Sequence, residues 1–312
     1  IDSDIIKTRT IDEQIKLMKE LKNCDYNENV CMIVKDKAVL EKRTTEEQLM
    51  LMKELKKCGY KYNACNLAIN SNVLESRTIE EQIKLMEELK KCEYKYSAYN
   101  VATDSNVLES RTTEEQIKLM EELKKCGYDI NACTIITSKN LLEQRTTEEQ
   151  IKIMQELQKF NSNHRMHDMW KPLTLMSINK KVLENRTIDE QIKLMKALKS
   201  CYCNVRAYDI AVTLEMLEER TAEEQVKLIE MLKKCEYNEM AYDIATNGNV
   251  LKRRSTEDQI RLMEVLKNCD YNQAIYILAI DGNVLESRTI DEQIKLMKTL
   301  KNCDYNSDAY FI

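Results

Sequence analysis

Apolar side chains in this chain recur three and four residues apart, a spacing that places them on one face of an α-helix. In the stretch that begins at Thr78 the apolar positions are Ile83, Leu85, Met86 and Leu89. Acidic residues open the stretch and lysines close it, which suits the dipole of a helix. The pattern predicts a long helix that ends near Cys92, followed by a shorter one.

The same pattern returns every 34 residues. An Arg-Thr or Arg-Ser pair marks each copy and begins at Arg9, Arg43, Arg77, Arg111, Arg145, Arg186, Arg220, Arg254 and Arg288. The step from Arg145 to Arg186 is longer than the others by seven residues. Such a period predicts a helical repeat array, because a single repeat cannot bury its apolar faces alone.

Each copy carries an explicit helix start. A Thr or Ser is followed three residues later by an acid, as in Thr78 and Glu81, which is the capping box. We expect N-caps at Thr10, Thr44, Thr78, Thr112, Thr146, Thr187, Thr221, Ser255 and Thr289. The shorter helix is expected from about residue 64 to residue 70, with a turn over 70–72 and a Val-Leu pair that leads to the next cap.

These elements predict an all-α fold, a right-handed α-solenoid of helix-turn-helix repeats that forms one domain over residues 1–312. The expected full repeats span 30–63, 64–97, 98–131, 132–172, 173–206, 207–240, 241–274 and 275–308, with partial repeats at 1–29 and 309–312. The repeat 132–172 holds the seven-residue insertion. Neither end carries an evident capping helix, so we expect a processed chain or a fragment of a longer array.

The amino-acid composition argues against several classes of protein function. The chain has 4 Gly and 1 Pro, too few for sheet proteins or for enzymes with phosphate-binding loops. No nucleophile motif is present, and we expect a non-enzyme without cofactor, metal or small-molecule substrate. Lys and Arg number 48 against 53 Asp and Glu. The net charge of -5 argues against bulk attraction to nucleic acid or membrane, although a local basic stripe stays possible.

The 12 cysteines favour packing over metal or disulfide chemistry. Eight hold one slot of the repeat, as Cys58 and Cys92 do. Stacked helices lie about 8–10 Å apart, which is too far for a disulfide. A second position of the repeat holds cysteine in some repeats and tyrosine in others, as Cys65 and Tyr99 show. Such an exchange indicates packing, because tyrosine cannot replace a cysteine that binds metal or forms a disulfide. We expect buried free thiols and an intracellular, reducing compartment, the cytoplasm or an organelle matrix, with a translocated effector as an alternative.

A family likeness is carried by segments of the long helix and the turn after it, namely Glu80-Glu81, Ile83, Leu85-Met86, Glu87-Glu88-Leu89-Lys90-Lys91 and Gly127-Tyr128. It is also carried by the pairs that open the next shorter helix, Tyr99-Asn100, Tyr208-Asp209 and Tyr242-Asp243. They resemble the pentatricopeptide repeat over essentially the whole chain. The period here is one residue shorter than is usual in that family, and Gln82 and its counterparts replace a small residue. Tetratricopeptide repeats and the plant-pathogen TAL-type repeat share the period but match less well.

The resemblance implies single-stranded RNA as the ligand, with one repeat for each base. In that family a residue early in the first helix and one at the end of the repeat together choose the base. The expected readers are Asn66, Asn100, Thr134, Asp209 and Asp243, with Asn63, Ser97, Asn131 and Arg206 just before the helix. Such side chains can hydrogen-bond the edges of unstacked bases. Apolar residues at the same position elsewhere, such as Met32 and Ile277, favour the alternative that these positions drift freely.

Two recurrent cations have structural interpretations. The lysines at Lys84 and its counterparts could follow phosphates, but we favour an outer face neutralised by the Glu four residues earlier. The arginines that precede each cap are expected to form salt bridges or carbonyl contacts between adjacent repeats.

The insertion is the one irregular place. A lengthened turn that kinks the superhelix is the simplest interpretation, and a partner-contact loop with Arg165, Trp170 and Lys171 exposed is the functional alternative. His164 and His167 have helical spacing for a metal, but no third ligand is evident.

The acidic net charge of the chain favours a second function, a protein-interaction scaffold that binds a peptide or partner protein in a concave groove.

Overall fold

The computed structural model describes residues 3–159 and 167–302, and excludes the side chains of residues 3, 4, 6 and 167–170. Within that part every regular element is an α-helix, which confirms the all-α prediction. The chain divides into two compact halves, Ile1–Gln158 and Lys159–Ile312, here called the N-terminal and C-terminal halves. The single domain over 1–312 stays a prediction, and the partial repeat 309–312 lies outside the described residues.

Each repeat contains three helices, so the predicted helix-turn-helix repeat is wrong. The stretch interpreted as a turn at Asn70 is the start of a further helix, Ser71–Ser76. The Asn70 Oδ1 atom accepts a hydrogen bond from the Val73 backbone N–H at 3.2 Å, which makes Asn70 an N-cap. Val73 and Leu74, expected only to lead to the next cap, lie buried on this helix and attach it to the core.

The three kinds of helix have nearly constant lengths. The long helices are Ile11–Asn23, Thr45–Lys57, Ile79–Lys91, Thr113–Lys125, Thr147–Gln158, Ile188–Ser200, Ala222–Lys234, Thr256–Asn268 and Ile290–Asn302. The middle helices are Glu28–Lys35, Tyr62–Ala68, Tyr96–Thr103, Ile130–Thr137, His167–Ser177, Val205–Val212, Glu239–Thr246 and Gln273–Ile280. The short helices are Ser3–Thr8, Lys37–Lys42, Ser71–Ser76, Ser105–Ser110, Lys139–Gln144, Lys180–Asn185, Leu214–Glu219, Gly248–Arg253 and Gly282–Ser287.

Helices of one kind contact their counterparts in the next repeat, so each half contains three rows of like helices. The core lies between the rows. Leu85 and Met86 of a long helix and Val101 of a middle helix are fully buried there. Apolar burial between neighbouring repeats therefore stabilises each half.

The capping box forms at all nine predicted positions. At Thr78 the backbone N–H donates to Glu81 Oε2 at 2.9 Å, and the Glu81 N–H donates to Thr78 Oγ1 at 3.3 Å. The other oxygen, Glu81 Oε1, accepts the hydroxyl of Thr113 in the next repeat at 2.8 Å. Although partial burial opposes it, these bonds hold the pKa of the Glu81 carboxyl below its usual range. The cap thus also joins neighbouring repeats.

A buried ladder of arginine and glutamine connects successive repeats. The Arg43 guanidinium donates to three groups of the following repeat, Leu74 O at 3.2 Å, Arg77 O at 2.7 Å and Gln82 Oε1 at 3.2 Å. The Gln82 amide then donates to Ala68 O at 2.9 Å, at the buried C-terminal end of its own middle helix. Burial lowers the pKa of Arg43. The predicted carbonyl contact of the arginines is confirmed. Gln82 stands where the resembled family has a small residue because its amide links the arginine of the preceding repeat to its own middle helix.

The long helices end in a tight reversal that uses left-handed backbone. Glu93 and Tyr94 have φ of 53° and 55°, and the Tyr94 N–H donates to Leu89 O at 2.9 Å, as in a Schellman turn. Because the chain reverses so tightly, the middle helices begin at Tyr62, Tyr96 and Ile130, two residues earlier than predicted. Gly59 and Gly127 hold the position of Glu93 in other repeats, with φ of 61° and 65°.

Glu93→Gly is expected to stabilise the chain. Removing a left-handed strain of about 1–2 kcal/mol outweighs the extra chain entropy of glycine, about 0.5–1 kcal/mol. The Glu93 side chain is exposed, so little contact is lost. Urea unfolding should show the gain. The reverse change, Gly127→Glu, has free space around its Cβ and should destabilise by a similar amount. Equal stabilities for all three chains would contradict this account.

Arg43→Met and Gln82→Leu should each destabilise the chain by about 1–3 kcal/mol, because each leaves buried polar groups unpaired. Combined, they should cost less than the sum, with a coupling energy of about 0.5–3 kcal/mol. Arg43→Met with Gln116→Leu is the matched control, because those two side chains share no hydrogen bond. Urea unfolding of the singles and doubles measures both cycles. Additivity in the Arg43 and Gln82 cycle would refute the ladder.

Candidate ligand-binding face

The long helices offer little free positive charge. Lys84 pairs with Glu114 of the next repeat at 3.0 Å, and Lys16 pairs with Glu46 at 2.8 Å. The prediction that these lysines are neutralised is confirmed, but the predicted partner four residues earlier is wrong. The next long helix lies beside this one, so an acid 30 residues later is the partner that each lysine meets. Lys16, Lys84 and their paired counterparts therefore join neighbouring long helices through ion pairs.

A second row of lysines on the long helices binds main-chain carbonyls. Lys90 Nζ donates to Lys57 O at 3.0 Å, and Lys124 Nζ donates to Lys91 O at 2.8 Å. Each acceptor is the last residue of the preceding long helix, where carbonyls are unpaired and the helix dipole is negative. These lysines cap their neighbours and are poorly placed to follow a phosphate backbone.

The middle helices of the N-terminal half present a different surface, here called the middle-helix face. Its most exposed large side chains are Tyr62, Tyr96 and Ile130, 64%, 69% and 64% accessible, each the first residue of its helix. Two of the three are aromatic. Lys61 and Lys95 precede them as exposed N-caps whose side chains do not cap. The Lys95 ammonium also lies 5.9 Å from the centre of the Tyr128 ring. Two consecutive middle helices thus begin with an exposed cation followed by an exposed aromatic ring.

Two of the predicted readers lie on this face with free amides. Asn66 and Asn100 are half-buried, one turn after Tyr62 and Tyr96, and neither amide has a hydrogen-bond partner within the described residues. Thr134 occupies the same position in the next repeat and is exposed, with its hydroxyl donating to Ile130 O at 2.9 Å. The three side chains are uncharged and recur at one helix position.

The residues expected just before the middle helix lie inside it, at its second position, so that placement is wrong. The earlier helix start carries them into the contact with the next repeat. Asn63 Nδ2 donates to Tyr94 O at 2.8 Å and Ser97 Oγ donates to Tyr128 O at 3.3 Å. Arg206 reaches Tyr237 O in the same way. Asn131, half-buried, holds the equivalent helix position. The side chains of Asn63, Ser97 and Arg206 thus join one repeat to the next.

The C-terminal half carries carboxylates where the N-terminal half carries amides. Asp209 accepts a hydrogen bond from the Tyr242 hydroxyl at 3.4 Å, and Asp243 accepts one from the Tyr276 hydroxyl at 3.0 Å. Burial and this carboxylate both raise the pKa of Tyr276, so the tyrosine stays a donor. Both predicted readers are therefore already engaged by the next repeat, on a negatively charged surface.

Grooves open between neighbouring middle helices. One of about 310 Å³ is lined by the predicted readers Asn100 and Thr134, together with Thr103 and Ile130. Another of about 550 Å³ lies beside the first middle helix, and its lining includes Met32, Lys35 and the acids Glu28 and Asp36. Asn66, Asn100 and Thr134 on this face were predicted from the sequence, whereas Tyr62 and Tyr96 were not. Their position directly after a lysine N-cap was the available signal.

The predicted insertion contact is only partly visible. Arg165 lies outside the described residues, as does His164. Trp170 belongs to the helix His167–Ser177, but its side chain lies outside the description. Lys171 is exposed on the same helix.

Other kinds of site were sought within the described ranges. No group of three His, Cys, Asp or Glu side chains there is placed to hold a metal ion. Among the same residues no helix is long and apolar enough to cross a membrane.

Comparison with protein-family models, with curated proteins and with solved structures finds no match for this chain. Its fold and face define an all-helical repeat protein whose repeats each contain three helices.

The described cysteines are free thiols, and most are buried. Burial raises the pKa of Cys65 and of Cys133 to about 11. Cys65 Sγ also donates to Asn29 O of the preceding repeat at 3.2 Å. These thiols stay protonated and pack, as the sequence indicates, instead of acting as nucleophiles.

Iodoacetamide at mildly alkaline pH should therefore label the folded chain slowly at Cys65 and Cys133. Cys31 has the same helix position but is half-exposed, so it should be labelled first. Mass spectrometry of peptides, with a urea-unfolded sample as the reference, measures the order. Equal rates for Cys31 and Cys65 in the folded chain would contradict the burial of these thiols.

Proposed function

We propose that the chain is a non-enzymatic binding protein that holds single-stranded RNA on the middle-helix face of its N-terminal half. The proposal includes the array that the sequence predicts, a right-handed α-solenoid in which successive repeats meet successive bases. The observation that carries it is a three-part set that recurs in two consecutive repeats. Lys61, Tyr62 and Asn66 form the first set, and Lys95, Tyr96 and Asn100 form the second.

Each part of the set suits one part of a nucleotide. An exposed tyrosine ring can stack on a base, and such stacking contributes about 1–3 kcal/mol for each base. A free amide can hydrogen-bond the edge of a base. An exposed lysine attracts phosphate, and counterion release then makes the binding depend on salt. Few cations lie on this face, so the salt dependence should be shallow.

Local charge supports this location better than the net charge suggests. Many cations of the long helices are paired or bound to carbonyls, as Lys84 and Lys90 are, whereas Lys61 lies exposed beside Tyr62. The reader positions of this half, Asn66, Asn100 and Thr134, carry no charge. At Lys61 with Tyr62, and at Lys95 with Tyr96, an extended strand therefore meets a cation beside an aromatic ring although the chain as a whole is acidic.

A protein scaffold is the second candidate, and it is favoured by the C-terminal half. Asp209 and Asp243 would repel phosphate at the positions where the N-terminal half has amides. A cationic peptide from a partner protein fits carboxylates of this kind better than RNA does. The buried free thiols support an intracellular, reducing setting for either function.

Replacing Asn66 and Asn100 together by Ala should weaken RNA binding by about 1–3 kcal/mol for each lost base contact. Base preference should relax at two adjacent positions only. The RNA is first selected from a random single-stranded pool at physiological salt, and fluorescence anisotropy then measures its affinity for each chain.

Lys84→Gln with Lys118→Gln is the matched control, because both lysines lie on the long helices and should barely affect affinity. A pool that shows no enrichment would overturn the RNA proposal. Capture of a cationic peptide that is lost in Asp209→Asn with Asp243→Asn would instead establish the scaffold.

A further inference from the structure

One groove of the middle-helix face lies between the helices Tyr96–Thr103 and Ile130–Thr137 and has a volume of about 310 Å³. Asn100 lines it together with Asp104, the C-cap of the first of these helices. Residues four apart on a helix lie on one face, with Cβ atoms about 5–6 Å apart. The Asn100 amide and the Asp104 carboxylate can therefore meet the edge of a single base.

The hydroxyl and thiol groups of this groove have already donated their hydrogens. Thr103, Thr134 and Thr137 each donate to the carbonyl four residues earlier on the same helix, at 2.9–3.1 Å. The Cys133 thiol donates to Ser97 O at 3.7 Å. The three hydroxyls can therefore offer a ligand only lone pairs, as acceptors.

Asp104 adds a half-buried carboxylate to these acceptors. Its Oδ1 atom accepts the Val107 N–H at 3.1 Å, as the N-cap of the short helix Ser105–Ser110. Its Oδ2 atom has no hydrogen-bond or ion-pair partner within the described residues. Burial, together with this nearby carboxylate, raises the pKa of Cys133 to about 11, so the charge lies beside the groove. Among the described side chains that line the groove, only the Asn100 amide keeps free N–H donors.

This set of donors and acceptors fits guanine. On its Watson–Crick edge guanine has two neighbouring N–H donors, N1–H and the N2 amino group, beside the acceptor O6. A carboxylate can accept both N–H groups while an amide donates to O6, and hydrogen bonds to a charged acceptor are the stronger kind. Uracil has a single N–H on that edge. Adenine and cytosine would place a ring nitrogen lone pair against the carboxylate.

The preceding repeat has the opposite hydrogen-bonding chemistry at the same two positions. Asn66 holds the position of Asn100, and Asn70 holds that of Asp104. The Asn70 Oδ1 atom accepts the Val73 N–H at 3.2 Å, so the group that it leaves free is its Nδ2 amide, a donor. The N–H groups of guanine would meet N–H groups there, and this repeat therefore disfavours guanine.

We propose that Asp104 is a specificity-determining residue that selects a guanine base together with Asn100. The Asn100 Nδ2 atom donates to O6, and the Asp104 carboxylate accepts N1–H and one hydrogen of the N2 amino group. Lys95 precedes the other end of the same helix, more than two turns away, so the cation and the carboxylate meet different parts of the nucleotide. The inference rests on the proposed RNA function and adds to it a base and a residue.

Selection from a random single-stranded RNA pool tests the inference. The unmodified chain should enrich a sequence with guanine at one position. Asp104→Asn should lose that preference and bind the selected RNA about 10- to 100-fold more weakly in fluorescence anisotropy. Asn70→Asp should create a guanine preference at the adjacent position, so the double exchange should move guanine by one base. Asn and Asp cap helices equally well, so circular dichroism melting should be alike for all these chains.

Inosine gives an independent readout, because it lacks only the N2 amino group of guanine. Replacing the selected guanine by inosine should weaken binding to the unmodified chain about tenfold. The same replacement should barely change binding to Asp104→Asn, which has lost the acceptor for that amino group. A purely structural role of Asp104 would make the two chains respond alike to inosine.

The matched control is Asp281→Asn in the C-terminal half. Asp281 caps a short helix in the same way and accepts the Val284 N–H at 3.0 Å, but Ile277 holds the position of Asn100 there. Affinity and base preference should not change. An enriched RNA without guanine, or a guanine preference that survives in Asp104→Asn, would overturn this inference and leave the proposed function standing. A pool that shows no enrichment would overturn both.

Discussion

The contact on which each half depends is the buried arginine that joins one repeat to the next. A guanidinium has five N–H donors in a rigid fork, so one side chain can satisfy several carbonyls and an amide oxygen at once. Arg43 does this with Leu74, Arg77 and Gln82, all of the following repeat. Because such a buried cation tolerates few alternative arrangements, the ladder fixes the register between repeats as well as stabilising them.

The contacts between repeats determine which surface of each half stays free. Long helices use their acids and lysines to join neighbours, and the second residue of each middle helix does the same through Asn63 or Ser97. The surface that remains lies on the middle helices, where Tyr62 and Tyr96 stay exposed and Asn66 and Asn100 keep free amides. At the helix position of Asn66 and Asn100 the C-terminal half carries Asp209 and Asp243, so the two halves differ in charge there.

Part of the candidate site was predictable from the sequence. Asn66 and Asn100 stand out because they vary between repeats while the stacking positions do not. Asn63 and Ser97 vary in the same way, yet their polar groups bind Tyr94 O and Tyr128 O. Variation between repeats therefore does not distinguish a free polar side chain from one that contacts the next repeat. Asparagine and serine can each donate to the same carbonyl, so a position used for stacking also varies. The role of Asn63 depends on a backbone atom 31 residues away.

The sequence by itself determined the features that depend on local spacing: the 34-residue period, the nine capping boxes, the long helices and the burial of the cysteines. Only the tertiary structure decided the short helix and the partners of the recurrent charges. A six-residue helix such as Ser71–Ser76 is too brief for its apolar periodicity to distinguish it from a turn, and its stability comes from packing. Lys84 meets Glu114 because stacking brings the next repeat closer to it than its own Glu80.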